Sequence, residues 1–166
     1  MKHEIRVTGK IKFDPKDVTT KHKAQASWKK MAYVEIDGDL TYLYAWFIKN
    51  RYNLVLNPPL RGAHITFIND KRSDFETTEY WDDVKAKYNG KKVTLYLDLN
   101  PLGNGKHWWL PVSEDHRGEL HQIRDELTLS PRPKFGLHLT IGYANEKNIE
   151  HSRYIHDLLV RGLIKT

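Results

Sequence analysis

The chemically most informative feature of the chain is a short pattern that occurs twice, once in each half. "GAHITF" covers residues 62–67 and "GLHLTI" covers residues 136–141, and both read glycine, any residue, histidine, apolar, threonine, apolar. Side chains alternate between the two faces of a β-strand, so His64 would share a face with Thr66, and His138 with Thr140. The apolar residues between them would anchor the opposite face of each strand in a core.

Two imidazoles and two hydroxyls that face one cleft could break a phosphodiester bond. The reaction needs a base for the attacking oxygen and an acid for the departing one, and histidine, with an ordinary pKa of about 6.5, suits both roles. Threonine hydroxyls can donate hydrogen bonds to non-bridging phosphate oxygens and stabilise the charge that develops there. We therefore expect His64, His138, Thr66 and Thr140 to be catalytic, without a metal or another cofactor. The alternative is that both pairs only pack at the edge of the core.

Other catalytic signatures have little or no support in the sequence. "HRGELH" at 116–121 separates its histidines by five positions, about 140° around a helix, whereas the HExxH zinc motif uses a spacing of four. The chain has no cysteine, so disulfides, thiol catalysis and thiolate metal sites are excluded, and a reducing compartment is favoured. There is no GxSxG, P-loop or GxGxxG sequence, which leaves serine hydrolase, nucleoside triphosphatase and dinucleotide-binding functions without support.

The positive charge of the chain is concentrated near its beginning. The net charge is +6, and residues 1–30 contain nine Lys and Arg against three acidic residues, so the remainder is balanced. Residues 14–30 are polar and aperiodic, and they predict a mobile basic loop that could attract phosphate-bearing ligands. The mean hydropathy of −0.68 and the absence of a signal-like or long apolar run predict a cytoplasmic location without membrane contact. If the protein is viral, that location would be the cytoplasm of the host.

Periodicity along the chain predicts a mixture of strands and helices in a single domain over 1–166. Strands are predicted at 4–13, 31–36, 92–99 and 106–112 and at the two repeats, with 92–99 and 106–112 as a hairpin. Helices are predicted at 40–52 and 77–88, around Leu120–Leu127, and after a cap at Asn148. Each half thus reads roughly as strand, helix and histidine-bearing strand, which indicates an α+β domain with an internal pseudo-repeat.

At the two His-x-Thr pairs the chain resembles the two-histidine (2H) phosphoesterase superfamily, whose signature is a pair of His-x-Thr/Ser motifs. That superfamily includes RNA 2′,5′-ligase-like proteins, 2′,3′-cyclic phosphodiesterases and phage anti-CBASS phosphodiesterases. The resemblance implies a bilobal α+β fold in which two pseudo-symmetric halves of antiparallel sheet, with flanking helices, surround a central cleft. It also implies that His64 and His138 are acid and base, in either order, and that Thr66 and Thr140 hold phosphate. The small size and basic N-terminus look most like the phage enzymes that degrade cyclic oligonucleotide immune signals.

A nucleotide substrate would also need side chains that hold its bases and its other phosphates. Aromatic residues can stack on bases, and cationic residues near the motifs can bind phosphate. The candidate substrate-binding residues are Tyr33, Arg61, Lys106, Trp108, Trp109, Arg132 and Tyr143. For each of them, ordinary packing or solvation is the alternative, and because neighbours on a strand face opposite sides, at most one of the two tryptophans should be in the core.

The leading hypothesis is a phosphodiesterase that cleaves a nucleotide phosphodiester, with cyclic oligonucleotides ahead of RNA ends. The nucleophile could be a ribose 2′-OH or water. One alternative is a 2′,3′-cyclic phosphodiesterase or 2′,5′-RNA ligase-like enzyme that acts on RNA ends, and a second is a nucleotide- or RNA-binding module that does not catalyse. The sequence indicates no obligate protein partner, and it leaves the oligomeric state open.

Overall fold

The computed structural model describes residues 3–15, 31–59, 62–70, 78–113, 118–131 and 136–160. Within these residues the strands are β1 (Glu4–Phe13), β2 (Ala32–Glu35), β3 (His64–Ile68), β4 (Lys92–Asp98), β5 (Leu102–Gly103), β6 (His107–Pro111) and β7 (His138–Tyr143). The helices are α1 (Asp39–Tyr52), α2 (Thr78–Tyr88), α3 (Gly118–Glu126) and α4 (Glu146–Val160). All strand pairs among these elements are antiparallel, so the predicted α+β class is confirmed.

The first sheet has four strands in the order β3-β2-β1-β4. Buried and more exposed residues alternate in the second half of β1, where the side chains of Ile11 and Phe13 are buried while Lys10 is exposed. Gly9 of β1 lies against the end of β2, and a Cβ there would collide with the backbone of Glu35 and would lie 2.6 Å from Val34 Cγ1. A glycine at this position therefore allows the two central strands to approach each other.

The second sheet has three strands in the order β5-β6-β7, and two isolated bridges extend its pairing. Asn57 pairs with Tyr143 at the end of β7, and Leu97 of β4 pairs with Val112 just after β6. The second bridge connects this sheet to the first, and β3 also contacts β7. The two motif strands, which are distant in the chain, therefore lie against each other.

A single apolar cluster joins the two sheets and the helices. It contains Ile65 of β3 and Leu139 of β7, both fully buried, together with residues from α1, α2 and α3. The stripe predicted for α2 is buried at Trp81, Val84 and Tyr88, while Thr77 lies outside the described residues. None of the helices in the described ranges has the length and apolar character needed to span a bilayer.

One prediction about local structure is wrong, and a second has the right residue in a different position. The segments 92–99 and 106–112 share only the isolated bridge between Leu97 and Val112 among the described residues and do not form a hairpin, because β4 pairs with β1 and β6 pairs with β5 and β7. Asn148 is not the first residue of its helix, because α4 begins at Glu146. The Asn148 N–H donates to Asn145 Oδ1 at 2.9 Å and the Asn145 N–H donates to Asn148 Oδ1 at 3.2 Å, so the two residues cap the helix reciprocally.

The predicted basic loop over 14–30 falls largely outside the described residues. Its first residue, Asp14, has a fixed position, because its Oδ2 accepts hydrogen bonds from Trp81 Nε1 at 2.9 Å and from Lys85 Nζ at 3.0 Å. The chain is therefore attached to α2 immediately after β1 ends, and residues 16–30 follow that attachment.

Candidate active site on two equivalent strands

The two histidine–threonine pairs occupy matching positions on β3 and β7. His64, Thr66, His138 and Thr140 are half-buried, and the apolar residues between and after them are buried in the common cluster. The side chains therefore alternate on both strands as the sequence predicts. Because β3 and β7 contact each other, the two pairs lie on neighbouring strands, each on the face turned away from the shared core.

Each imidazole is held by the carbonyl group of the glycine two residues before it. His64 Nδ1 lies 2.9 Å from the Gly62 oxygen, and His138 Nδ1 lies 3.2 Å from the Gly136 oxygen. Both glycines have a positive φ, 74° and 64°, which residues with a side chain adopt at a cost. The glycine of each repeat therefore turns the chain so that its own carbonyl group meets the following imidazole.

This contact determines which ring nitrogen can do chemistry. A carbonyl oxygen only accepts hydrogen bonds, so Nδ1 carries the hydrogen and donates it in both histidines. The nitrogen that takes up or releases a proton is then Nε2, at the far end of the ring. The same tautomer is set twice, by the same atoms in both halves.

A β-bulge follows the threonine of each pair. In the first sheet the register pairs Thr66 with Tyr33 and then Ile68 with Ala32, so Phe67 is the extra residue. In the second sheet Thr140 pairs with Trp109 and Gly142 with Trp108, so Ile141 is the extra residue. The two motif strands are therefore equivalent in their backbone hydrogen bonding as well as in their sequence.

An aromatic ring from the adjacent strand meets each imidazole nearly edge to face. Tyr33 lies 5.2 Å from His64, with an angle of 64° between the ring planes, and Trp109 lies 6.3 Å from His138, with an angle of 65°. Directly paired residues share a face, so Tyr33 is beside Thr66 and Trp109 is beside Thr140. Tyr33 is only 6% exposed, which fits a role in positioning His64, and its stacking on a base stays a prediction.

The bulge in β7 also determines the orientation of Tyr143. On a regular strand this residue would face away from Thr140, three positions earlier. Because of the extra residue, Tyr143 lies on the same face as Thr140. Tyr143 pairs with His107, which shares a face with Trp109, and Trp109 pairs with Thr140. Sequence reasoning did not select His107, which is an exposed third imidazole on this side of the sheet.

The other predicted substrate-binding residues do not gather at this face. Trp108 lies on the opposite face, where its indole packs 5.2 Å from the ring of Tyr52 and over Gly103. Lys106 is exposed just before β6, and its carbonyl group accepts a hydrogen bond from the Ala144 N–H at 2.7 Å. Arg61 and Arg132 lie outside the described residues.

A buried arginine that the sequence patterns did not indicate holds the end of β3. Arg124 of α3 is fully buried and forms two hydrogen bonds to Asp70, Nη1 to Oδ1 at 2.8 Å and Nη2 to Oδ2 at 3.0 Å. Its Nη1 also donates to the carbonyl of Phe67, the bulged residue, at 2.8 Å. An arginine next to Ile123 in the apolar stripe of a predicted helix was the available signal.

No group of three or more His, Cys, Asp and Glu residues in the described part of the chain could hold a metal ion. No protein-family model, curated protein or solved structure matches the chain. The functional interpretation therefore depends on the residues themselves.

Proposed function

We propose that the chain is a phosphodiesterase of the two-histidine type that cleaves a nucleotide phosphodiester bond. The observation that carries this proposal is the duplicated geometry: two histidines with the same Nδ1–carbonyl contact, each followed on its own face by a threonine, on contacting strands. Packing alone does not require the same tautomer, the same bulge and the same aromatic neighbour twice. Opposite the scissile phosphate, such a pair supplies the two proton transfers that the reaction needs.

In the proposed mechanism, the neutral imidazole removes a proton from the nucleophile through Nε2. The nucleophile, a ribose 2′-OH or a water molecule, attacks phosphorus while the bond to the leaving oxygen breaks. The other imidazole, protonated at the start, gives its Nε2 proton to that oxygen, so one proton is taken up and one is released. Thr66 and Thr140 donate hydrogen bonds to the non-bridging oxygens, whose charge rises in the transition state. His64 and His138 can exchange roles, because their Nδ1 contacts are equivalent.

The antiparallel sheets support a bilobal arrangement in which each half contributes one motif strand to a central cleft. In this proposal the cleft lies where β3 and β7 meet, and the aromatic neighbours Tyr33 and Trp109 form its walls. Trp109 is half-buried and so keeps ring surface on which a base can stack. Cyclic oligonucleotides are the preferred substrate class, and RNA ends with a 2′,3′-cyclic phosphate are the alternative.

The experiment compares the wild-type protein with His64→Asn, His138→Asn and His151→Asn on a panel of cyclic di- and trinucleotides and RNA with 2′,3′-cyclic ends. His151 is an exposed histidine on α4 and serves as the matched control. We expect cleavage to continue in EDTA and to fall about 10²–10⁴-fold in each motif variant, but not in the control. Loss of cleavage with chelator, or equal activity in all four proteins, would rule out the mechanism.

A nucleotide-binding module without catalysis is the second candidate, and the exposed lysines of the first sheet favour it independently of the histidines. Lys10 and Lys92 face the same side of that sheet as His64. Such a module would bind members of the same panel with equal affinity in the wild type and in the double variant His64→Asn/His138→Asn. It would release no product.

A further inference from the structure

A cavity of about 370 Å³ lies where the end of β1 meets α2, and it is rich in lysine. Lys10 and Lys12 of β1 and Lys85 of α2 line it, and Tyr33 and the turn that follows α2 complete its wall. Asp14 is the acidic residue among the described residues that line it, whose charges sum to +2, and Glu35, the partner of Lys12, lies next to them. A dianionic or multiply charged ligand would complement that charge.

The strand register places two of the lysines that line this cavity on the same face as the first histidine–threonine pair. Lys12 pairs with Tyr33, which pairs with Thr66, and Lys10 pairs with Glu35, which pairs with His64. Neighbouring strands are about 4.8 Å apart, so the lysines start about 10 Å from the motif backbone. Tyr33 stands between the two places, since its ring contacts His64 and lines the cavity. A chain of two or three nucleotides can span this separation.

Two lysines also face each other directly at this end of β1. Lys10 is directly opposite Lys92 across β1 and β4, and both side chains are exposed. Like charges in a directly opposed pair repel each other, and an anion between them would relieve the repulsion. Lys12 and Lys85 have carboxylate partners, Glu35 and Asp14, but their side chains stay 42% and 36% exposed and can turn toward a ligand.

We propose that this cavity binds a second phosphate of the substrate whose scissile phosphate lies between the two histidines. The inference rests on the proposed function and narrows its substrate class. The preferred substrate carries at least two phosphodiester groups, as a cyclic or linear oligonucleotide does. A 2′,3′-cyclic mononucleotide fills the histidine site alone, and the lysines do not contribute to its binding.

The test compares the wild-type protein with Lys10→Gln, Lys10→Gln/Lys12→Gln and the control Lys49→Gln. Lys49 is exposed on α1, the helix whose Tyr44 and Ile48 pack on the core, so the control makes the same change of charge away from this face. Substrates are a cyclic trinucleotide, a linear trinucleotide with a 2′,3′-cyclic end, and a 2′,3′-cyclic mononucleotide. Binding of the cyclic trinucleotide to His64→Asn/His138→Asn, with and without the lysine changes, is measured in parallel.

For both trinucleotides we expect KM to rise about fivefold for each lysine that is changed, because two charges 4 Å apart in water attract by about that factor. The slope of log affinity against log salt should fall by about 0.7 per lost phosphate contact. The mononucleotide and the Lys49→Gln control should show no change. An effect on only one of the two trinucleotides would still support the site and would identify the substrate as cyclic or linear.

The remaining outcomes separate the inference from the proposed function. If the wild-type protein cleaves trinucleotides and the lysine changes affect neither trinucleotide, or affect the mononucleotide equally, the second phosphate site is refuted and the phosphodiesterase stands. If trinucleotides bind in a lysine-dependent manner but no substrate is cleaved, the site stands and the proposed function is refuted. If nothing binds and nothing is cleaved, both are refuted.

Discussion

Replacing Arg124 with methionine should destabilise the protein far more than removal of an ordinary surface charge. The guanidinium group makes four hydrogen bonds, two to Asp70 and one each to the carbonyl groups of Phe67 and Ser130. Methionine has a similar length and can fill part of the volume, but it offers no donor. Arg124→Met therefore removes the donor of all four of these hydrogen bonds.

The size of the effect follows from the burial of the pair. Removing one partner of a buried ion pair costs about 3–5 kcal/mol, because the other charge stays buried without compensation. Arg124 is fully buried but the Asp70 side chain is 18% exposed, so water can hydrate part of its charge and the cost should be at the lower end, about 3 kcal/mol. For a chain of this length, about 2–4 °C per kcal/mol converts this to a fall in Tm of about 6–12 °C.

The assay is thermal unfolding followed by circular dichroism, with Lys91→Met as the control. Lys91 is paired with Glu119 at 3.7 Å, but its side chain is 56% exposed, and pairs of this kind contribute about 0–1 kcal/mol. Adding Asp70→Asn to Arg124→Met should cost less than the sum of the single changes, because both changes disrupt the same ion pair. A fall in Tm no larger than that of the control, or additive behaviour in the double variant, would refute the reasoning.

Three further predictions concern other parts of the molecule. Gly62→Ala should reduce phosphodiester cleavage about 2- to 12-fold, because the carbonyl group that holds His64 would shift and one hydrogen bond is worth about 0.5–1.5 kcal/mol. Gly105→Ala is the control, since Gly105 also has a positive φ and open space around it. It should lose about as much stability as Gly62→Ala but keep its activity. Gly103→Ala should lower the free energy of unfolding by about 1–3 kcal/mol in chemical denaturation, because a Cβ would lie 2.6 Å from the indole stacked on it, and an unchanged midpoint would contradict that packing. The hydrogen bond from Lys87 holds the pKa of Glu126 below its ordinary value of 4.5, so this carboxylate stabilises the fold above that pH. Its contribution is lost as the pH falls through the lowered pKa, and Glu126→Gln should therefore flatten the acid limb of a plot of Tm against pH. Parallel curves for the two proteins would exclude the contribution.

The duplicated site has a consequence for the pH dependence of the proposed activity. One imidazole must be neutral and the other protonated when the substrate reacts, so the rate should pass through a maximum as the pH rises. Because both rings have the same contact at Nδ1, neither is committed by its tautomer to one role. The direction in which the substrate binds then decides which histidine is the acid.

Local patterns in the sequence were sufficient for most of the helices and strands and for the faces of the motif strands. Alternation at His64–Phe67 and at His138–Ile141 predicts the buried and half-buried residues that the structure has, because a strand side chain can only point to one side or the other. The class of fold followed in the same way, from the order of strand-like and helix-like segments. These features depend on neighbouring residues and can be recognised without knowledge of the rest of the chain.

The partners of each strand were decided only by the tertiary structure. The hairpin prediction failed because β4 pairs along β1 while β6 pairs with β5 and β7, and no local pattern shows such long-range partners. The bulge at Ile141 reverses the side on which Tyr143 lies, and one extra residue in a strand leaves no mark in its periodicity. Arg124 binds Asp70, which lies 54 positions earlier in the chain. The lysines of β1 share a face with His64 only because β1 pairs with β2 and β2 pairs with β3 in these registers. Residue types and their spacing thus defined the chemistry that each motif can perform. Long-range strand pairing determined which side chains share a face with each motif, because its energy depends on residues far apart in the chain.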